Sequence, residues 1–135
     1  MQDLFSITMT DEELRAMSSI ALAHVGDAVY ELLVRSDLCC RGKATGKGLH
    51  RATVELVCAG RQAALSRVIV PLLTPEEADV FRRGRNANIH SVPHNASVSD
   101  YRYATALEAL FGWLWLQGKK ERVLSLFDAM MEEVR

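Results

Sequence analysis

Apolar residues recur at helical spacing along most of the chain, and no segment has the strict alternation of a half-buried strand. The stretch Thr10–Glu13 reads as a capping box that starts a short first helix. Ser18 or Ser19 can cap a longer second helix that runs to about Cys39. The predicted core residues of this second helix are Ile20, Ala23, Val25, Ala28, Leu32 and Leu33.

Glycine and proline divide the middle of the chain. We expect the second helix to end among Gly42, Gly46 and Gly48. A third helical region is predicted from Leu49 to about Val70, with an interruption near Gly60. Thr74-Pro75-Glu76-Glu77 then starts another helix, because it combines a capping threonine, proline at the first helical position and glutamate at the third.

The segment from Gly84 to about Val98 is rich in asparagine and contains Pro93, a composition that favours a loop exposing its backbone to solvent or a ligand. The apolar period returns from Ser99 to Gln117, and Lys119 to Val134 forms a last amphipathic helix. These elements predict an all-α fold, organised as a single helical domain over residues 1–135.

Composition narrows the class of protein without revealing its chemistry. The chain is 49% hydrophobic and 24% charged, and no apolar run approaches the roughly 18 residues of a membrane span. The N-terminus lacks the basic start and apolar core of a secretion signal, so we expect a cytoplasmic protein without membrane contact. Three cysteines at irregular spacing predict neither a disulfide framework nor a CxxC metal site.

Two acids interrupt two apolar helices. Asp27 lies in Gly26-Asp27-Ala28-Val29, within the apolar run from Ile20 to Val34, and Glu108 lies among small and apolar residues about 80 positions later. A carboxylate removed from water requires a cation or hydrogen-bond donors, or else it takes up a proton. Either both acids are core residues bonded to arginine or to a helix N-terminus, or they converge on Mg²⁺, which prefers carboxylates, waters and phosphate oxygens.

The motifs around both acids resemble the ribonuclease III family. Gly26-Asp27-Ala28-Val29 matches the core of its first motif, and Glu108-Ala109-Leu110-Phe111-Gly112 matches its second acidic helix, in the family's order. The likeness is greatest to the Mini-ribonuclease III branch, which lacks the double-stranded-RNA-binding domain. That likeness is carried by the segments 21–31, 83–87 and 101–110.

The resemblance implies an endonuclease domain with the ribonuclease III fold. Such a domain works as a homodimer and uses Mg²⁺, with Mn²⁺ as a substitute, to hydrolyse double-stranded RNA to 5′-phosphate ends. The implied task is maturation of ribosomal RNA, specifically the large-subunit precursor, with a ribosomal protein presenting the substrate. By motif match, Asp27 and Glu108 are the catalytic residues and the metal ligands.

Two positions depart from the larger ribonuclease III family, which carries further acids one turn before the motif aspartate and three residues before the second glutamate. This chain has Ala23 and Thr105 there. Thr105 can hold a water of the metal's shell but supplies no charge, so the two-metal scheme of the larger family need not transfer intact.

Basic residues cluster twice along the chain despite a net charge of −1. Because duplex RNA is recognised through its shape, phosphates and 2′-hydroxyls, a chain without a separate RNA-binding domain needs basic loops near the cleft. The predicted RNA-binding residues are Arg83, Arg85 and Asn86 in one cluster and Lys43, Lys47, His50 and Arg51 in the other. Gly84 is expected to let the backbone approach the RNA closely.

Two other classes of function stay open at this point. The missing accessory acids suit a noncatalytic RNA-binding or ribosome-assembly protein that keeps the same fold. A helical interaction module, in which Asp27 and Glu108 are both structural, is the second alternative.

Overall fold

The chain folds into seven α-helices and one short 3₁₀ helix, in a computed structural model that describes residues 1–42, 45–89 and 91–135. No strand occurs in those ranges, which confirms the predicted all-α fold. The helices are α1 (Asp11–Arg15), α2 (Ser19–Cys40), α3 (Gly46–Val57), α4 (Ala59–Ile69), α5 (Pro75–Arg85), α6 (Val98–Leu116) and α7 (Lys120–Glu132), with the 3₁₀ helix at Val70–Leu72.

Most helices begin where a serine or threonine side chain satisfies an otherwise unpaired backbone N–H. The predicted capping box before α1 is present, and the one before α5 is present too, with Pro75 at the first helical position. The other capping side chains each accept from the N–H of the third residue of their helix: Ser18 for α2, Thr45 for α3 and Ser97 for α6. Local sequence therefore sets where these helices start.

Helix α6 is the centre of the fold and packs against α2, α4, α5 and α7. Phe111 of α6 meets Tyr30 of α2 edge-on at a ring-centre distance of 6.0 Å, and Phe127 of α7 meets Tyr30 at 6.1 Å. The buried Tyr30 hydroxyl donates a 2.7 Å hydrogen bond to the Leu56 carbonyl at the end of α3. This aromatic cluster therefore links α2, α3, α6 and α7.

Two glycines let the backbones of α2 and α6 touch. A Cβ built on Gly26 would lie 1.6 Å from the Glu108 carbonyl oxygen, and one on Gly112 would lie 2.0 Å from the Leu22 carbonyl oxygen. No side chain fits at either position, so the two helices cross closer than an ordinary side-chain interface allows. The crossing brings the turn that carries Asp27 against the turn that carries Glu108.

The predicted core face of α2 is only partly right. Ala23 is buried, and Val25 and Leu33 are half-buried. Ile20 and Leu32 are 47% and 55% exposed, and Ala28 is exposed as well. The buried positions are Leu22, Ala23, Gly26, Val29, Tyr30, Val34 and Leu38. Because α2 is apolar on several faces, its periodicity does not single out the face that α6 covers.

Two predicted boundaries are also wrong. Helix α3 begins at Gly46 rather than Leu49, because Thr45 accepts from the Gly48 N–H at 3.1 Å. The interruption predicted near Gly60 is present, with the break at Cys58. Helix α5 continues to Arg85, so Gly84 is a buried helical residue and not part of a loop. A Cβ on Gly84 would lie 3.0 Å from the Cβ of Ala109, so this glycine allows α5 to pack on α6 and has no place beside an RNA strand.

Within the described ranges, no helix combines the length and the apolar character that crossing a membrane requires. Cys39, Cys40 and Cys58 are exposed free thiols.

Candidate active site

Asp27 and Glu108 face each other beside the crossing of α2 and α6. Asp27 is exposed, which corrects the expectation that its apolar neighbours bury it. Glu108 is half-buried on α6, and its own carbonyl is the group that Gly26 contacts. Neither acid makes an ion pair with an arginine or lysine among the described residues. The reading in which both are core acids neutralised by arginine is therefore wrong.

The Glu108 carboxyl lies in surroundings that disfavour its charge. Burial, together with the neighbouring Asp27 carboxylate, raises the pKa of Glu108 from an ordinary value of 4.5 to about 8. Functional sites often contain two adjacent carboxyl groups of which one has a raised pKa. A bound cation offsets both the repulsion between the two groups and the cost of burying a negative charge. The pair has the chemistry of a site for a divalent ion.

Gln62 is a third component of the site, and the sequence reasoning missed it. Its side chain is 2% exposed, and its Nε2 donates a 2.9 Å hydrogen bond to the Val57 carbonyl. The Gln62 amide faces Glu108 and partly offsets the rise in its pKa. Gln62 Oε1 is buried and has no donor among the described residues. The sequence signal that could have identified Gln62 is its helical spacing: it lies four residues before Ser66, on what the structure shows to be the buried face of α4.

A cavity of about 470 Å³ opens beside this group. Its lining includes Gln62 and Glu108, with Asp100, Tyr101 and Ala104 from the first half of α6. Asp100 precedes Glu108 by eight residues, about 12 Å along the helix axis, so the two carboxylates are too far apart to share one ion. The cavity leaves room for a ligand next to Glu108 without adding a third acid to it.

Among the described residues, no third acidic, histidine or cysteine side chain joins Asp27 and Glu108 in a metal-binding group. No group of three or more histidine, cysteine, aspartate or glutamate side chains in the described ranges is arranged to hold a metal ion. Ala23 is buried and offers no ligand. Thr105 is 4% exposed, and its hydroxyl donates a 2.9 Å hydrogen bond to the Tyr101 carbonyl within α6. Thr105 is therefore less well placed than predicted, because its hydroxyl is buried and is already bonded within the helix.

The first predicted group of RNA contacts divides into separate environments. Arg83 is paired with Asp79 at 3.0 Å and lines a depression beside α1, which is not the cavity of Glu108. Arg85 lies with its guanidinium 6.0 Å from the centre of the Tyr103 ring. Asn86 is exposed at the C-terminal end of α5. The three residues are neighbours in sequence, but the structure does not bring Arg83 to the same surface as Glu108.

The second predicted group lies on α3. Lys47, His50 and Arg51 border a shallow, mostly apolar depression together with Val54 and Glu55. Lys43, the fourth predicted member, lies outside the described residues.

Comparison with known proteins agrees with this geometry. The profile of the Ribonuclease III domain matches residues 20–119, a range that includes both Asp27 and Glu108. A Mini-ribonuclease 3 of Thermoanaerobacter sp. (strain X514) is 37% identical over 126 residues, which are 93% of this chain and 89% of that protein. A Mini-ribonuclease 3 of Symbiobacterium thermophilum is 43% identical over 110 residues, 82% of this chain and 85% of that protein.

A crystal structure of a protein from Fusobacterium nucleatum has a similar fold. The TM-score is 0.81 at 29% sequence identity, and the alignment covers 87% of this chain and 96% of that one. The similarity therefore extends over nearly all helices of the domain.

Proposed function

The chain belongs to the ribonuclease III family, in its Mini-ribonuclease 3 branch, and from this premise we propose that it is a metal-dependent endonuclease that hydrolyses double-stranded RNA. The observation that carries the proposal is the pair formed by Asp27 and Glu108. The two acids come from helices whose backbones touch, and burial together with Asp27 raises the pKa of Glu108 to about 8.

The donor set fits Mg²⁺. Two neighbouring carboxyl groups, with the pKa of Glu108 raised and a cavity beside them, are the kind of oxygen site that accepts this ion along with waters and phosphate oxygens. Asp27 and Glu108 would hold the ion. When bound, Mg²⁺ would lower the pKa of an attacking water and offset negative charge that builds up on the scissile phosphate.

The protein's own contribution is position and charge. Asp27 and Glu108 supply two carboxyl groups on helices that cannot move apart without breaking the Gly26–Gly112 contact. Gln62 is anchored on the Val57 carbonyl and presents its amide to Glu108, which favours the ionised form of that carboxyl. We assign Gln62 as a positioning residue and leave Thr105 outside the metal site.

Arg85 and Asn86 are the RNA contacts that we keep closest to the site, and Lys47, His50 and Arg51 supply a second basic surface. Arg83, already paired with Asp79, contributes less, because an ion pair leaves little charge for a phosphate. Lys43 stays a prediction.

The wild-type protein should cut a duplex RNA in Mg²⁺, stop when EDTA is added, and lose at least about 100-fold in rate with Asp27→Asn. The measurement is a gel assay of an end-labelled duplex, with mapping of the 5′ ends for phosphate. Uncleaved RNA under Mg²⁺ and Mn²⁺, or undiminished cleavage by Asp27→Asn, overturns the proposal. Tight duplex binding without scission would instead favour the noncatalytic RNA-binding or ribosome-assembly alternative.

The cellular task that we propose is maturation of the large-subunit ribosomal RNA precursor in the cytoplasm, with a ribosomal protein presenting the RNA. Cleavage of a transcript of that precursor at one mapped position, sharpened by ribosomal protein, is the expected result. Random cutting with and without ribosomal protein would argue against this task while leaving the nuclease activity intact.

We further propose a homodimer. The support is the exposure of large apolar side chains on α2, with Ile20 at 47% and Leu32 at 55%. Sedimentation should give a dimer, and Leu32→Lys should shift it toward the monomer. A monomer at micromolar concentration in the wild type would contradict this assembly.

A further inference from the structure

Two arginines from different helices lie at one aromatic ring, and a third arginine is bonded to the backbone of one of them. The Arg67 guanidinium of α4 lies 4.7 Å from the centre of the Tyr103 ring, and that of Arg85 in α5 lies 6.0 Å from it. Arg102, next to Tyr103 on α6, donates from Nη1 to the Arg85 carbonyl at 3.3 Å. Of these three arginines, only Arg85 was predicted to contact RNA. Arg67 lies 18 residues before Arg85 in the sequence and belongs to neither predicted basic cluster.

The positive charge of this group is not neutralised by the protein. None of the three arginines makes an ion pair with a carboxylate in the parts of the chain that the structure describes. The adjacent arginines of α5 differ, since Arg82 and Arg83 both pair with Asp79. Helix α4 has no acidic residue at all. Three neighbouring positive charges without a protein counter-charge favour the binding of an anion.

The ring anchors the group to the core. Tyr103 is half-buried and packs on Phe81, with ring centres 6.1 Å apart. Stacking on an aromatic face restricts the Arg67 and Arg85 side chains before any ligand arrives, and guanidinium groups bond phosphate oxygens in a fixed fork. Less side-chain freedom is then lost on binding a phosphate than with three mobile surface arginines.

We propose that Arg67 and Arg85 at the Tyr103 ring, together with Arg102 beside them, form a binding site for the phosphodiester groups of an RNA strand. This site rests on the proposed nuclease function and adds to it a contact outside the acid pair. Tyr103 precedes Glu108 by five residues, about 7.5 Å along the axis of α6. The two residues also point about 140° apart around the helix, so the arginine site is a contact separate from the acids, and an RNA molecule must extend around α6 to reach both.

Binding of a short labelled duplex RNA tests this site, measured in Mg²⁺ between 50 and 200 mM salt with Asp27→Asn as the background that does not cut. Arg67→Ala and Arg102→Ala should each weaken binding about 3- to 10-fold and reduce the slope of log affinity against log salt by about one. Arg82→Ala is the matched control, since it removes the same charge from an arginine already paired with Asp79, and we expect less than a 2-fold change.

The ring gives a second, independent measurement. Tyr103→Phe should bind like the parent, while Tyr103→Leu should weaken binding like Arg67→Ala, with thermal melting to verify that each variant is folded. If neither arginine variant changes affinity or salt slope, the site is overturned even when wild-type protein cleaves RNA. If wild-type protein does not cleave, the nuclease proposal fails separately, whatever the arginine variants do.

Discussion

The crossing of α2 and α6 and the cavity beside α4 and α6 use the same helix in opposite ways. At the crossing, Gly26 and Gly112 contribute no side chains, and backbone touches backbone. At the cavity, Gln62 and Glu108 are polar side chains beside open space, with a carboxyl whose pKa is raised to about 8. The backbone contact at Gly26 lies one residue from Asp27. Uncharged packing therefore holds the Asp27 and Glu108 carboxyl groups close together, although their approach is unfavourable.

This difference shows that, on α2, a residue of the helix crossing and a residue of the candidate active site are adjacent in sequence. Gly26 is buried and its neighbour Asp27 is exposed, because successive residues of a helix point about 100° apart. A functional site can therefore keep a strained electrostatic arrangement as long as the adjoining crossing supplies the stability.

Gly26→Ala should have the largest effect. The added Cβ would lie 1.6 Å from the Glu108 carbonyl oxygen, a backbone atom that cannot rotate away, so α2 and α6 must separate. We expect a loss of at least about 3 kcal/mol in the free energy of unfolding, or failure to fold. Chemical denaturation measures it.

Gly46→Ala is the matched control for this substitution. Nothing lies within 4 Å of a Cβ at Gly46, which is also helical, so its unfolding free energy should stay the same or rise slightly. Equal stability of the two variants would contradict a close helix crossing at Gly26.

Glu108→Gln should change how stability depends on pH. The folded protein keeps the Glu108 proton up to a pKa of about 8, whereas the unfolded chain loses it near 4.5. Without metal, the stability that Glu108 contributes is therefore complete below pH 4.5 and is lost as pH rises toward 8. Glu108→Gln removes this loss, so in EDTA the variant should become more stable than wild type by up to a few kcal/mol at pH 8.

Denaturation of both proteins from pH 4.5 to 8, with EDTA and with Mg²⁺, measures this effect. Mg²⁺ at pH 8 should stabilise the wild type and leave Glu108→Gln unchanged, because the ion requires the ionised carboxyl. Parallel pH curves for the two proteins in EDTA would show that Glu108 is not held toward its neutral form.

Gln62→Met should have a smaller effect, centred on the site. The variant keeps much of the side-chain volume but removes the amide that faces Glu108, so the pKa of Glu108 should rise and Mg²⁺ should bind about 3- to 10-fold more weakly at neutral pH. Calorimetric titration with Mg²⁺ measures this directly.

Gln117→Met provides the comparison, since Gln117 also donates from its amide to a backbone carbonyl, that of Trp113 at 3.0 Å, and does not line the Glu108 cavity. Its Mg²⁺ affinity should equal that of wild type. The same loss of affinity in both variants would mean that Gln62 acts only through general stability.

Thr105→Val should have the smallest effect on cleavage. The Thr105 hydroxyl is buried and bonded to the Tyr101 carbonyl, so its removal should cost about 1 kcal/mol of stability or less and change the cleavage rate less than about 3-fold. A drop of 100-fold in rate with normal Mg²⁺ affinity would return Thr105 to the catalytic site.

Much of the fold was predictable from local residues. The capping boxes at Thr10 and Thr74 and the acidic motifs at Asp27 and Glu108 were all read from the sequence, because capping and motif identity depend on a few neighbouring positions. The buried face of α2 was not, since Leu32 and Val29 are equally apolar and only the position of α6 distinguishes them. Gly84 was misread for the same reason: its partner, Ala109, is 25 residues away on another helix.

By itself, the sequence determined the helical class, the places where most helices begin and the two acids within the matched motifs. Only the tertiary structure decided that Gln62 meets Glu108, that Asp27 faces outward while Gly26 seals the crossing, and that Arg67 joins Arg85 at the Tyr103 ring. The physical reason is the separation in sequence over which each interaction acts. Capping and helical period act over a few residues, whereas these contacts join helices far apart in sequence and depend on how the helices pack.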